Sequence, residues 1–298
     1  MEKRINLSYL TATKNKLPYF KRGIEKVIAQ KKPDEEILIA DGGSTDGTKE
    51  YLAELKAQGK IDYFISEKDF GESHALNKLF LIAKGTLIKI INDDDAYYFP
   101  AIEACKKFML EHPAIDIMGM GGGSVKHKTP SEFYVCQLTN CVHDYEQWQK
   151  YRTPFEFAVL GIMLRRLSLP LLGFWNLSFT MADTEYTYRV TAGKANVAWY
   201  TGSAYVYIKN QHGVTWVRKN KISNEIERLK KFYLNKNSEP YIIKKLKILK
   251  GKILGVLSSR NTGQRIDSLG TWSELVLLSD NWLIERSKKE KPEFLYNK

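Results

Sequence analysis

The segment 90–100, IINDDDAYYFP, runs from two isoleucines into three consecutive aspartates, Asp93, Asp94 and Asp95. Adjacent carboxylates repel one another, so at the end of an apolar stretch they require something positive beside them, or else bulk solvent. A divalent cation or a lysine cluster would serve. Hard carboxylate oxygens suit a hard divalent cation. Without a cation, three like charges ending a buried strand are costly.

The elements that must position this triplet can be read from apolar spacing. Residues 5–120 alternate between strand and helix patterns. A strand is predicted over 5–11 and a helix over 18–30, with Phe20, Ile24, Val27 and Ile28 on one face. The run EILIA (36–40) reads as a strand covered on both faces. In the turn DGGSTDGT (41–48), Gly42 and Gly43 permit a tight bend, and Ser44, Thr45 or Asp46 can cap the following helix. That helix carries Tyr51, Leu52 and Leu55 at helical spacing. Another strand is predicted over 61–66, a helix over 73–83 with Ala75, Leu76, Leu79 and Ile82 inward, and a strand over 86–92. Pro100 marks the first turn of the next helix. Strands separated by such helices imply a parallel sheet with helices on both faces, and ligands then bind beyond the carboxyl ends of the strands. Thr13, Asp41 and residues 93–95 all follow predicted strands and should meet on one rim. Further on, 156–166 reads as a strand, 182–193 as a helix ending at Gly193, and VAWY (197–200) and AYVYI (204–208) as two strands.

At 298 residues, with 43% hydrophobic and 27% charged, the chain has the composition of a soluble globular protein rather than a disordered one. The net charge of +12 points to an anionic partner: nucleic acid, a phosphate-bearing ligand or an acidic membrane surface. No run of 18 apolar residues and no signal-peptide pattern is present, and the three cysteines lack a CxxC spacing. These features predict a cytoplasmic protein.

The blocks TATKN (11–15), ADGGSTDGT (40–48), FGESHALNK (70–78) and IINDDDAYYFP (90–100) occur in an order and spacing that resembles family 2 glycosyltransferases, inverting enzymes with the GT-A fold. The similarity covers roughly residues 5–215. It implies a Rossmann-like, mostly parallel sheet flanked by helices and a nucleotide-sugar donor. Thr13 and Asp41 are then placed at the base, where an aspartate can accept from the uracil N3 proton. The family often carries a second aspartate where this chain has Gly42. The triplet corresponds to the DxD-type motif, which assigns Asp95 to metal, Asp94 to ribose or metal and Asp93 to a further donor contact. Lys78 or His74 would face phosphate or ribose. The resemblance also places a catalytic base in MADTEYTYRV at Asp183, with Glu185 as the alternative; either could instead complement the helix dipole. His212 is a candidate for the cation or the diphosphate, and Trp175 for stacking on an acceptor sugar.

From about 221 the chain becomes basic and helical. Over 241–257, Ile242, Leu246, Leu249, Ile253 and Leu257 recur at helical spacing among five lysines, a pattern suited to an anionic membrane surface or to packing on the catalytic domain. The domain reading is therefore a catalytic domain over 1–220, with a nucleotide-sugar half (1–120) and an acceptor half (121–220), and a basic helical extension over 221–298. The activity expected is transfer of a sugar, UDP-linked, to a saccharide or lipid-linked saccharide in cell-surface polysaccharide or glycolipid synthesis. Mn2+ or Mg2+ is the expected cofactor, with no nucleic-acid partner and a place in the cytoplasm or at the inner face of the cell membrane. A nucleotidyltransferase of similar fold and a non-catalytic anion-binding protein are the alternatives.

Overall fold

The apolar runs of the first 90 residues become neighbouring parallel strands in the computed structural model, which describes residues 4–129, 132–208, 219–234 and 269–296. These are β1 (Leu7–Thr13), β2 (Glu35–Asp41), β3 (Tyr63–Ser66) and β4 (Leu87–Ile90). The remaining strands are β5 (Ala96–Tyr97), β6 (Ile117–Thr129), β7 (Glu132–Gln137), β8 (Ile162–Arg165), β9 (Val197–Tyr207) and β10 (Phe294–Leu295). Across the sheet the order is β10-β9-β6-β8-β4-β1-β2-β3, with β5 on β9 and β7 on β6. β1 pairs in parallel with both β2 and β4, and β6 with β9, whereas β8 runs antiparallel to β4 and β6. This is the α/β, mostly parallel sheet that the sequence predicts.

The flanking helices are α1 (Leu17–Gln30), α2 (Thr48–Ala57), α3 (Glu72–Ile82), α4 (Phe99–Glu111), α5 (Asn140–Tyr151), α6 (Leu169–Leu172) and α7 (Ala182–Ala192). Two more, α8 (Lys219–Tyr233) and α9 (Leu269–Lys289), follow. On α1, Phe20, Ile24 and Val27 are buried, as their spacing demands, while Ile28 is half-buried. On α3, Phe80 takes the inward place expected of Ile82, which is 38% exposed. β2 is buried along its whole length, so its charged residues need partners: at its start Glu35 accepts from Lys106 Nζ at 2.7 Å, and Glu36 from Ser8 Oγ at 2.5 Å.

The second half departs from the sequence reading in three places. Residues 197–207 form one strand rather than two, with its pairing to β6 shifting at Met120–Gly122. Only 162–165 of the stretch 156–166 is strand, preceded by a 3-10 turn. β6 itself has little strand propensity, because it contains Gly119, Gly121, Gly122 and Gly123. Packing explains those glycines. A Cβ on Gly119 would lie 2.2 Å from the Trp199 ring, and one on Gly122 would lie 2.6 Å from Tyr205. Trp199 is fully buried among Tyr145, Phe155 and Phe157 and has nowhere to swing. Gly119→Ala is thus expected to destabilise by about 1–3 kcal/mol through overpacking. Urea denaturation checks this, and an unchanged midpoint would mean that the Trp199 ring yields freely.

Residues 269–296, within the stretch that the sequence sets apart as an extension, join the sheet. β10 pairs with β9, and α9 packs on β9, β5 and β7. Among the described residues no helix is long and apolar enough to cross a membrane.

Candidate active site

The strand order 3-2-1-4 reverses at β1, which puts the switch point, where such sheets bind ligands, between the carboxyl ends of β1 and β4. Thr13 ends β1 directly opposite Asp41 at the end of β2. From the other side, Thr13 Oγ1 donates to Asp93 Oδ2 at 2.8 Å. The rim expected from the sequence is therefore formed by side chains 80 residues apart in the chain.

The positive partner of the triplet is Lys16. Its Nζ lies 3.0 Å from Asp93 Oδ1 and 3.0 Å from Asp94 Oδ2. Against a desolvation that works the other way, these two carboxylates hold the ammonium well above the usual lysine pKa. Asp95 accepts from the Ile208 backbone N–H at 2.7 Å and from Asn92 Nδ2 at 3.1 Å. The Asp94 carbonyl accepts from Trp272 Nε1 at 3.0 Å. All three aspartates are buried. Burial, with the charge of Asp94 added, raises the Asp95 carboxyl well above the ordinary carboxylate range; burial also raises Asp93, which Lys16 partly counters. Lys16 contacts two of the three, so with all three ionised negative charge is left over.

Asp41 is fully buried, and its carboxylate accepts from Ser44 N–H and Oγ and from Ser66 Oγ, the last at 2.6 Å. The turn that follows is held by Asn15 Oδ1 on Thr45 N–H, while Asp46 accepts from Leu17 N–H and Thr48 Oγ1. A side chain at Gly42 would lie 2.7 Å from Asp69 Oδ2, so Asp69 takes the space that a larger residue there would need.

Beside this rim is a cavity of about 490 Å³ whose wall includes Glu72, Asn92, Trp175, Asp183, Tyr205 and Lys126. Asp183 is the second residue of α7 and half-buried. Its Oδ1 accepts from Thr184 N–H at 2.8 Å and its Oδ2 from Val159 N–H at 3.4 Å. Desolvation outweighs these bonds and raises its pKa. The chain entering α7 is held by buried Glu225 of α8, which accepts from Thr180 N–H at 2.8 Å and Met181 N–H at 3.1 Å. Glu185, by contrast, is absent from the cavity wall and accepts from Arg189 Nε at 2.9 Å; Arg189 also donates to the Leu172 and Phe174 carbonyls. Trp175 is 4% exposed, lies 4.3 Å from the Tyr186 ring, and sits in a loop clamped by both amide atoms of Asn77. Its Nε1–H and the Asn92 Oδ1 are buried without a protein partner, on two residues that line the same cavity. Glu72 is exposed at the cavity, so solvent tempers the rise to about 7 that desolvation imposes against Lys16, with Asp93, Asp183 and Asp94 adding to it.

The sequence model of glycosyl transferase family 2 matches residues 8–168, more than half of the chain. The chain belongs to this family. Among curated relatives, the putative teichuronic acid biosynthesis glycosyltransferase TuaG of Bacillus subtilis is 29% identical over 106 residues, covering 35% of this chain and 42% of TuaG. The chondroitin synthase of Escherichia coli is 34% identical over 87 residues, 29% of this chain and 13% of the synthase. An uncharacterised glycosyltransferase of Rickettsia conorii is 34% identical over 106 residues, of which the match spans only 17% of that protein. The chain thus spans less than half the length of each of these relatives. Among solved structures, the mannosyltransferase PcManGT of Pyrobaculum calidifontis, in complex with GDP-Man and Mn2+, aligns over 97% of this chain and 87% of its own with a TM-score of 0.56 at 14% identity. S. aureus TarS 1–349 in complex with UDP aligns over 80% and 68%, with a TM-score of 0.53 at 14% identity. Both are GT-A glycosyltransferases in fold.

Within this family 2 glycosyltransferase the other expected residues fall as follows. Lys78 is engaged by Glu67 Oε1 at 2.8 Å, and His74 lies against Phe70. His212 and the basic stretch 241–257 lie outside the described residues. Among the described residues no three His, Cys, Asp or Glu side chains are gathered as a complete metal cage. The triplet nevertheless fits Mn2+ or Mg2+: such ions need only one or two carboxylates when phosphate and water complete the shell. Asp95 retains lone pairs beyond its two hydrogen bonds, and the surplus negative charge is of the right sign. Lys16, Asn92, Glu225 and Trp272 were not singled out from the sequence. Lys16 alone left a signal, as a cation just past the first strand of a chain whose aspartates need one.

Proposed function

We propose that this family 2 glycosyltransferase moves a sugar, with inversion, from a UDP-linked donor to a hydroxyl of a saccharide or lipid-linked saccharide in cell-surface polysaccharide or glycolipid synthesis. The observation that carries this reading is that Asp183 and Asn92 line one cavity, so a carboxylate faces the space next to the aspartate triplet. The donor would lie along the rim of Thr13, Asp41, Asp93 and Asp94, with its diphosphate toward Asp95. The acceptor would occupy the cavity, whose wall includes Trp175 and Asn92. The acceptor oxygen attacks the anomeric carbon from the face opposite the diphosphate, and its proton passes to Asp183. The carbon–oxygen bond to the diphosphate breaks, and the electron pair leaves on that oxygen. Mn2+ or Mg2+ bound by Asp95, with Asp94, would stabilise the leaving charge. Lys16 adds a fixed positive charge beside it.

The names of the relatives support the reading: TuaG belongs to teichuronic acid biosynthesis, TarS was captured with UDP, and PcManGT with GDP-Man and Mn2+. The donor and acceptor sites would lie within the 1–220 region, whose sheet residues 269–296 join, and a cytoplasmic location with a membrane surface reached through 241–257 completes the proposal. The test is nucleoside diphosphate release from UDP-, GDP- and dTDP-sugars with Mn2+, Mg2+ or EDTA, with and without acceptor saccharides. Metal-dependent UDP release is expected. Release from a GDP-sugar alone would change the donor, and silence throughout would overturn the activity.

The raised Asp183 pKa sets the pH dependence. A base must be deprotonated to accept, so turnover should rise with pH through a midpoint above the ordinary aspartate value. Glu72, Glu156 and Tyr205 interact electrostatically with this group, whose charge raises the pKa of each. Stability has the opposite sign, because the folded state holds the proton to higher pH than the unfolded chain does. The stability contribution is complete below the unfolded pKa and is lost as pH rises through the folded one. A pH–rate profile with no acid limb would remove Asp183 from the base role.

A further inference from the structure

The triplet loop is held by a residue far outside the region that matches the family. Trp272, in the first turns of α9, is 2% exposed, and its Nε1–H donates to the Asp94 carbonyl at 3.0 Å across 178 residues of sequence. Its ring stands edge-on to Tyr19 at 4.9 Å, and the Arg22 guanidinium lies 5.8 Å from its centroid. Arg22 and Lys26 of α1 reach the Ser273 carbonyl and Asp280 of α9, so α9 is fixed to the helix whose first cap residue is Lys16. Trp272 also belongs to the smaller apolar cluster, with Ala96, Val206, Ile208, Leu275 and Val276. Ala96 directly follows the triplet, and Ile208 supplies the backbone N–H that binds Asp95.

Taken together, these contacts grip the loop from both sides. Lys16 holds the side chains of Asp93 and Asp94, while Trp272 holds the backbone between Asp94 and Asp95. We propose that Trp272 is a positioning residue for the donor diphosphate and its cation, acting through the Asp94 carbonyl, so that α9 is part of the machinery of the site. The inference rests on the metal role given above to Asp95. A peptide carbonyl fixed by a buried indole N–H cannot rotate without leaving that N–H unpaired, which costs more than the bond itself contributes. With the carbonyl fixed, the backbone orients both neighbouring carboxylates before any ligand arrives.

The test compares Trp272→Phe, which keeps a ring in the cluster but removes the N–H, with Leu275→Ala, which opens a gap in the same buried cluster and leaves the N–H in place. Mn2+ binding is followed by electron paramagnetic resonance in the presence of UDP, and Mn2+ half-saturation is read from UDP-sugar hydrolysis. The expected result for Trp272→Phe is a Mn2+ affinity about 10-fold weaker, with kcat largely recovered at saturating metal, as when an outer-shell partner is lost. Leu275→Ala should lower Tm and leave the half-saturation unchanged. Half-saturation is a property of the folded molecules, so it can be read even if Trp272→Phe is partly unfolded; Trp272→His, which retains a ring N–H, should lie nearer the wild type. Unaltered Mn2+ affinity in Trp272→Phe, with normal Mn2+ binding by the wild type, overturns the inference. No Mn2+ binding by the wild type with UDP present would instead overturn the metal role itself.

Discussion

Asp183→Asn is expected to lower sugar transfer by roughly 10²- to 10⁴-fold, the range for loss of a general base, while UDP binding stays as in the wild type. The amide is nearly isosteric. Its oxygen can still accept from Thr184 N–H, now 2.8 Å from Oδ1, and only the longer contact from Val159 at 3.4 Å is given up. Because desolvation already disfavours the charged form, removing the charge should not weaken the fold at neutral pH. Glu185→Gln makes the contrast. Glu185 is 4% exposed and paired with Arg189, which also ties down the carbonyls at 172 and 174, so its loss should appear in Tm more than in kcat. Steady-state transfer kinetics and calorimetric UDP binding on both variants decide between the two carboxylates. An active Asp183→Asn beside an inactive, well-folded Glu185→Gln would exchange their roles.

What could be read from the sequence depended on whether the deciding forces were local. The middle of β2, Ile37 to Ala40, is a continuous apolar run because the strand is buried on both faces, and α1 has its apolar residues at helical spacing because one face meets the sheet; both patterns are written in neighbouring residues. β6 is the counterexample. Its glycines say turn or loop by propensity, and only the Trp199 and Tyr205 rings, some 80 residues later in the chain, make a glycine strand the one that fits. The same non-local pairing joins VAWY and AYVYI into a single strand, since β6 lies alongside both. β10 and α9 likewise sit in a region whose composition suggested only a basic appendage.

For the site, the convergence of Thr13, Asp41 and Asp93 on one rim followed from strand ends alone, because a parallel sheet aligns its carboxyl termini. The individual partners did not follow. Lys16 is one of many lysines in a chain of net charge +12, and its place just past the first strand, which Lys14 shares, is the whole of its signal. Trp272 reaches Asp94 only through the packing of α9 on α1, and Glu225 reaches the entry to α7 only through the packing of α8. Asp183 and Glu185 are two residues apart and chemically alike, yet their positions on the helix send one to the cavity and the other to Arg189.

Asp95→Asn is expected to reduce metal-supported turnover on the order of 10²- to 10³-fold, the scale for losing one preorganised electrostatic contact to a leaving group. The local fold has the means to absorb the change. One amide atom can still accept from Ile208 N–H at 2.7 Å, and Asn92, whose Oδ1 has no partner, can turn its amide to accept the new N–H. What disappears is charge: the triplet would carry two carboxylates, both paired with Lys16, instead of three, and the surplus that suits a divalent cation is halved. UDP release measured against Mn2+ concentration should therefore lose both its height and its metal dependence, while Tm remains close to that of the wild type. If Asp95→Asn instead keeps full turnover at the same Mn2+ half-saturation, the last carboxylate is not a ligand. Lys16 would then be the whole answer to the charge of the triplet, and transfer would have to stabilise its leaving group through that ammonium.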